Sequence, residues 1–279
     1  MTLAPPVSAG RDLALPAIGF GTYGLNGLPA LDVIHRAMEA GYRLFDSAFN
    51  YENEGAVGAA VRSASIPRDD VLVTSKLPGR HHRYVEALAT VEESLLRTGL
   101  DHLDLYLIHW PNPNVGLYVE AWRALIEARD RGLVRHIGVS NFLPAHLTRL
   151  IEETGVAPEV NQVELHPYFQ QGQQRAFDRE HGIITQAWSP LGRATDLLGD
   201  PVLAGIADKH RITVPQVVLR WHTLIGSIPL PKSADPHRQA ANLNVAGIEL
   251  DESDLIAIAG LDRFDGRIWG QDPAVYEEF

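Results

Sequence analysis

The sequence predicts an α/β protein folded as one closed (β/α)8 barrel, with its chemistry at the C-terminal ends of the strands. Three observations predict it. Short apolar runs, continuous rather than alternating, recur along the 279 residues, as strands buried on both faces would. Each run is followed by a segment whose apolar residues have helical spacing. There are eight such units, most of them roughly 23 to 32 residues apart, and a barrel is the closed arrangement that uses eight. An open doubly wound sheet is the alternative. It would want a G-x-G-x-x-G turn after an early strand, and none is present. No linker, repeat or low-complexity stretch interrupts residues 1–279, so a single domain is expected.

Taken in order, residues 13–15 read as an edge strand or half of a hairpin. Residues 18–20 form the first barrel strand, and the glycines of Gly19-Phe20-Gly21-Thr22 imply close backbone approach. The helix over 31–40 puts Val33/Ile34 and Ala37/Met38 on one side, and Gly41 caps it. The remaining strands are expected at 44–46, 71–76, 103–109, 134–140, 160–164, 183–188 and 227–229. Helices are expected at 52–62, 83–98, 119–131, 144–154, 169–181, 201–210, 215–222, 236–244 and 251–260. Pro144 fits a first helical turn, and the pair 201–210 and 215–222 lengthens the step before the last strand.

Composition narrows the function. The formal net charge of −11 argues against a nucleic-acid or anionic-membrane partner, because neither would be attracted. Cysteine is absent, which excludes disulfides and thiol chemistry. The twelve histidines form no H-E-x-x-H or H-x-x-x-H pair, so no metal site is expected. There is no basic head leading into an apolar run, and no stretch approaches about 18 apolar residues. The cytoplasm is the expected location.

In such a barrel the residues at strand ends converge. They include Asp46, Lys76, His109-Trp110, Ser140-Asn141, Gln162, Trp188-Ser189 and Lys232-Ser233, with Tyr51 five residues past Asp46. Singly, each has an ordinary reading as a cap, a solvated end or a structural histidine. Jointly they place an anion, a cation, a phenol and an imidazole at one mouth. Asp46 and Lys76 can pair across adjacent strands, since a buried carboxylate needs a partner. Lys76 would depress the Tyr51 hydroxyl and make it a general acid near neutral pH. His109 would donate to a substrate oxygen as negative charge develops. No nucleophile accompanies them, so hydride addition to a carbonyl fits, with a reduced nicotinamide as the donor.

These motifs resemble a known family. GYRLFDSAFNYENEGAVG at 41–58, the segment 134–142 with VNQVELHPY at 160–168, and IPLPKSADPHRQAAN at 228–242 resemble the signatures of the aldo-keto reductases. The likeness runs through nearly the whole chain and is closest to the short bacterial type, similar to diketogluconate reductases. It implies a catalytic tetrad of Asp46, Tyr51, Lys76 and His109. It implies that Ser140, Asn141 and Gln162 meet the nicotinamide carboxamide and that Trp188 stacks on the ring. Gly21, Thr22 and Asp46 would lie near the ribose, and Ser189, Leu191 and Gly192 over the pyrophosphate. Lys232, Ser233 and Arg238 match the positions that hold an adenosine 2′-phosphate, which favours NADPH, with NADH the weaker alternative. Asp235 would weaken that site. Asn242 matches an adenine contact, while Ala241 stands where many members carry Glu. The substrate, a small carbonyl compound, would meet Tyr23, Phe49, His109, Trp110 and Trp269. Arg193 and Arg267 are candidate clamps, Asn112 and Asn114 candidate polar contacts, and Tyr276 is expected to pack the tail onto the barrel. The resemblance also implies a monomer. Two other classes compete: an NADPH-binding regulatory barrel with little turnover, and a barrel hydrolase or isomerase that lacks its carboxylate pair or metal ligands.

Overall fold

In the computed structural model, which describes residues 5–8, 13–193 and 195–279, the expected alternation closes into a ring. An antiparallel ribbon comes first, β1 (Val7–Ser8) with β2 (Ala14–Leu15), pairing Val7 with Leu15. Eight parallel strands follow: β3 (Phe20–Gly21), β4 (Leu44–Asp46), β5 (Leu72–Leu77), β6 (Leu103–Ile108), β7 (Val134–Ser140), β8 (Val160–Glu164), β9 (Ile184–Trp188) and β10 (Ile228–Pro229). Each pairs with the next in sequence. Closure comes from Gly19 N–H donating to Pro229 O (3.0 Å) and Gly21 N–H to Pro231 O (3.1 Å). The last strand is short for a reason legible in its composition: Pro229 and Pro231 accept hydrogen bonds but have no N–H to give.

Among the described residues ten helices wrap the ring: α1 (Gly27–Ala40), α2 (Glu54–Ser63), α3 (Tyr84–Thr98), α4 (Tyr118–Asp130), α5 (Pro144–Thr154), α6 (Gly172–Glu180), α7 (Pro201–His210), α8 (Val214–Leu224), α9 (Pro236–Leu243) and α10 (Glu252–Ala259). Two depart from expectation. The first turn of α1 precedes the apolar stripe that signals it, because Leu28 is exposed and Pro29 sits where no N–H is required. The start of α6 falls later than residue 169. Phe169 is held instead in a bridge with His166, donating N–H to its carbonyl at 2.8 Å, and Gln171 takes a left-handed turn at φ 52.

Strand register decides which residues reach the interior, since side chains two apart share a face and paired residues point the same way. Leu44, Leu105, Val160, Ile184 and Ile228 near the strand starts cluster with Leu13 and Leu15 of the N-terminal ribbon. The ribbon therefore closes one end with apolar surface. Two residues on from Leu44, the same face of β4 carries Asp46. The register Asp46–Thr74 places Lys76 next on β5, and Lys76–Leu107 places His109 beyond β6. Gly138 on β7 is a forced choice in this interior: a Cβ there would lie 2.8 Å from Leu107 Cδ2 and 2.6 Å from Val160 O.

The outward faces of the strands form the larger core. Phe20, Phe45, Val73, Tyr106, Ile137 and Val139 pack beneath Ile34, Met38, Val57, Val91, Trp122 and Leu150 of the helices. Each such burial contributes about 1.5–3 kcal/mol. No helix among the described residues is long and apolar enough to cross a membrane.

Candidate active site

The end of the barrel opposite the ribbon gathers the ionisable side chains. Lys76, 1% exposed, donates from Nζ to Asp46 Oδ2 at 2.7 Å and to Ser47 O at 2.8 Å. Gln162 Nε2 donates to the other oxygen of Asp46 at 2.8 Å. Burial pushes the Lys76 ammonium down, and Asp46 works against that by favouring its charge. Tyr51 closes a single 3-10 turn, Phe49–Tyr51, directly after β4. Asn26 Nδ2 grips its carbonyl at 2.7 Å, and Asn53 ties the turn down by donating to Thr22 O at 2.8 Å and Leu25 O at 3.0 Å. The Tyr51 ring lies with its centroid 4.9 Å from Lys76 Nζ and 5.9 Å from the His109 ring.

One expectation is corrected. With Lys76 beside its ring, the Tyr51 hydroxyl is still not lowered on balance. Burial raises it well above the usual phenol value, Asp46, Glu278 and Tyr23 add to the rise, and Arg193 opposes it. The ammonium is committed to Asp46 and Ser47 and faces the ring of Tyr51. The phenol therefore holds its proton at neutral pH.

Beside this centre a chain of amides spans three strands. Ser140 Oγ donates to Gln162 O at 2.7 Å. Asn141, in the left-handed region at φ 64, donates to His109 O at 3.0 Å and accepts from Trp188 Nε1 at 2.8 Å. Gln162 continues to Gln186 Oε1 at 3.0 Å. Ser189 and Asn112 also have positive φ, at 49 and 45, so strained backbone collects around the mouth. On the rim, Lys232 and Arg238 are exposed and have no acidic side-chain partner within ion-pair distance among the described residues. Asp235 lies beside this pair, and its charge and that of Arg238 act on each other. Its carboxylate is turned onto α9, accepting from His237 N at 2.8 Å and Arg238 N at 3.2 Å. Trp188 keeps part of its surface exposed at the mouth while Asn141 fixes its edge. An aromatic face, adjoining amides and two unpaired cations suit a phosphorylated nicotinamide dinucleotide.

The family model described as Aldo/keto reductase family matches residues 17–263. The chain belongs to the aldo/keto reductase family. The 2,5-diketo-D-gluconic acid reductase B of Corynebacterium sp. (strain SHS752001) is 53% identical over 269 residues, 96% of this chain and 96% of that protein. The methylglyoxal reductase DkgA of Escherichia coli (strain K12) is 42% identical over 93% of each chain. Among solved structures, a mutant of Gox0644 in complex with NADPH superimposes with TM-score 0.91 at 41% identity, covering 99% of this chain and 98% of that one.

Several residues named from the sequence of this aldo/keto reductase also make contacts within the chain. Phe49 is buried, with the Arg97 guanidinium 3.7 Å from its ring centroid and His81 at its edge. Trp110 is 6% exposed and covered by Tyr276, ring centroids 4.4 Å apart. Arg267 lies over Phe169 at 4.6 Å. Arg193 does reach the mouth, its guanidinium 4.7 Å from the Tyr23 ring and 5.2 Å from the Trp269 ring, and those two aromatics are exposed. Asn242 is buried against the Tyr42 hydroxyl. Asn112 and Asn114 are engaged by residues 275–278 rather than left open. Asn112 brackets Glu278, donating to its carbonyl at 2.8 Å and accepting from its N–H at 3.0 Å, and Asn114 N–H donates to Glu277 at 2.7 Å. Sequence reasoning missed Glu278 altogether, and its carboxylate lies 2.8 Å from His109 Nδ1.

Proposed function

We infer that this enzyme reduces small aldehydes and ketones to alcohols with NADPH, and that Tyr51 gives the proton. The observation that carries this reading is the Asp46–Lys76 pair at 2.7 Å, seated beneath a protonated phenol with an imidazole opposite. The reduced nicotinamide, when bound, supplies the hydride. Every other part of the reaction falls to the chain itself. His109 orients the carbonyl oxygen toward Tyr51. Tyr51 passes its proton to that oxygen as negative charge builds there, a contribution of about 10²–10⁴ in rate. The phenolate left behind is faced by Lys76, whose charge Asp46 maintains against the cost of burial. Ser140, Asn141, Gln162 and Trp188 are the residues we assign to the nicotinamide end. Gly21, Thr22, Ser189, Leu191 and Gly192 are assigned to the ribose and diphosphate, and Lys232, Ser233 and Arg238 to the 2′-phosphate.

Tyr23, Trp269 and Arg193 form the substrate side of the mouth, and they suit a small polar carbonyl compound. The names of the relatives favour dicarbonyls of that size, methylglyoxal and a diketo sugar acid among them. The enzyme acts as a single-domain cytoplasmic monomer on this reading. The test is NADPH oxidation over a panel of methylglyoxal, 2,5-diketo-D-gluconate, simple aldehydes and ketones. Turnover of one or more of these, with alcohol formed in equal amount to NADP⁺, is the expected result. NADPH binding with no turnover of any carbonyl would replace the enzyme by a sensor.

A further inference from the structure

Arg193 stands at the mouth between two exposed aromatic rings. Its guanidinium carbon lies 4.7 Å from the Tyr23 ring centroid and 5.2 Å from that of Trp269, both within cation–π range. Tyr23 in turn meets the ring of Tyr51 edge-on, centroids 5.0 Å apart. Laid end to end, the 4.7 and 5.0 Å separations put the cation within about 10 Å of the Tyr51 ring, the reach of a small molecule. Its charge acts there, opposing the rise of the phenol. The Trp269 wall of this slot is built rather than incidental. Trp269 is held in the left-handed region at φ 56, which a bulky residue keeps only where its surroundings impose it. Ile268 N–H donates to Glu164 Oε1 at 2.6 Å, a carboxylate 1% exposed at the end of β8. Arg267 lies over Phe169, Arg263 N–H donates to Tyr168 O at 3.0 Å, and Gly266 packs where a Cβ would run into that same carbonyl. The acids of the mouth have other partners. Asp46 pairs with Lys76, Glu164 takes Ile268 N–H, and Glu278 accepts from Asn50 and Gly79. Among the described residues no acidic side chain lies within ion-pair distance of Arg193.

We propose that Arg193 selects carbonyl compounds that bear a carboxylate, pairing with that carboxylate while the carbonyl of the same molecule lies at Tyr51. A guanidinium is a planar fork that meets a carboxylate through two parallel N–H···O bonds. With an aromatic ring on either side, it is already placed before a ligand arrives, so little ordering is lost on pairing. Arg193 brings one positive charge, which matches a monoanion. A phosphate dianion would leave charge unbalanced in a chain whose net charge is −11, and the exposed Lys232 and Arg238 suit it better. Arg193 directly follows the residues assigned to the diphosphate, so a dinucleotide role competes with this one. The contact with Trp269, from the C-terminal segment, puts the guanidinium on the substrate side.

The inference rests on the reductase reading, and its test separates the two. The probes are succinic semialdehyde and its methyl ester, the same aldehyde with and without a charge. In the wild-type enzyme kcat/KM for the acid should exceed that for the ester, and added salt should narrow the difference, because an exposed pair is screened. Arg193→Met should lower the acid-to-ester ratio of kcat/KM about 10- to 100-fold, the worth of a charge-assisted contact. The change should lie mainly in KM for the acid, as for a group that holds substrate and transition state alike. A wild-type ratio at or below one, or a ratio that Arg193→Met moves by less than about threefold, overturns the proposal. If the variant weakens NADPH in a fluorescence titration while the ratio stays in place, Arg193 serves the diphosphate and the proposal fails. If the wild-type enzyme reduces neither probe, the reductase reading falls. NMR titration with succinic semialdehyde in the presence of NADP⁺ then still decides the clamp: weaker binding to Arg193→Met than to wild type upholds it, and equal binding removes it.

Discussion

Replacing Lys76 by Met isolates the cost of the buried pair beneath Tyr51. The side chains differ little in length, so the change removes charge rather than volume. Asp46 would then keep one side-chain donor among the described residues, Gln162 Nε2 at 2.8 Å, in place of two. With Lys76 fully enclosed and Asp46 5% exposed, water cannot take over. Removing one partner from such a pair costs about 3–5 kcal/mol, because the other is left as an uncompensated buried charge. At roughly 2–3 °C per kcal/mol for a chain of this size, Tm should fall by about 6–15 °C. Adding Asp46→Asn to the Lys76→Met variant should recover most of that loss. The double-mutant cycle would then give a coupling of about 3 kcal/mol, read by differential scanning calorimetry or urea titration. Activity should be lost in all three variants, so stability and catalysis report separately. A K76M protein within about 2 °C of wild type, or a double variant as unstable as K76M alone, would refute the reasoning.

Two further outcomes follow from the same structure. Arg238→Ala should weaken NADPH about 10- to 100-fold, the worth of a charge-assisted contact, and leave NADH nearly unchanged. Fluorescence titration with both dinucleotides checks this, and equal losses would remove the 2′-phosphate assignment. Acid should destabilise the fold through His222 and His82, which burial pushes down to about 3 and about 4 from a usual value near 6.5. The unfolded chain binds more protons there than the folded one, so their contribution is complete above pH 6.5 and is lost as pH falls toward 3. Asp178, raised to about 6 by burial, opposes this below that pH. His222→Gln should therefore flatten the fall in urea midpoint between pH 7.5 and 6, and an unchanged slope would count against it.

What the sequence made legible was whatever depends on period and register. Continuous apolar runs such as LDLYLI on β6 identified strands buried on both faces, and eight such units left few topologies. Asp46 and Lys76 end adjacent strands, so their convergence needed no more than the strand order. Other features depend on net balances or on distant contacts. The Tyr51 hydroxyl is raised by burial first, with Asp46, Glu278 and Tyr23 adding to it, and only the three-dimensional arrangement shows this. Nothing in the sequence reveals that Arg97, from another helix, lies over the ring of Phe49. Glu278 left no signal. Residues 272–279 have neither helical nor strand periodicity, and the partner Gly79 lies 199 residues away. A sequence argument could have asked only why an Asn-rich turn, Asn112 and Asn114, follows His109.

The most direct test of proton delivery is Tyr51→Phe, with turnover and NADPH binding measured on the same preparation. If Tyr51 is the donor, kcat for carbonyl reduction falls by about 10²–10⁴ while the NADPH dissociation constant stays within about twofold. Turnover within about threefold of wild type would mean that the proton comes from another group.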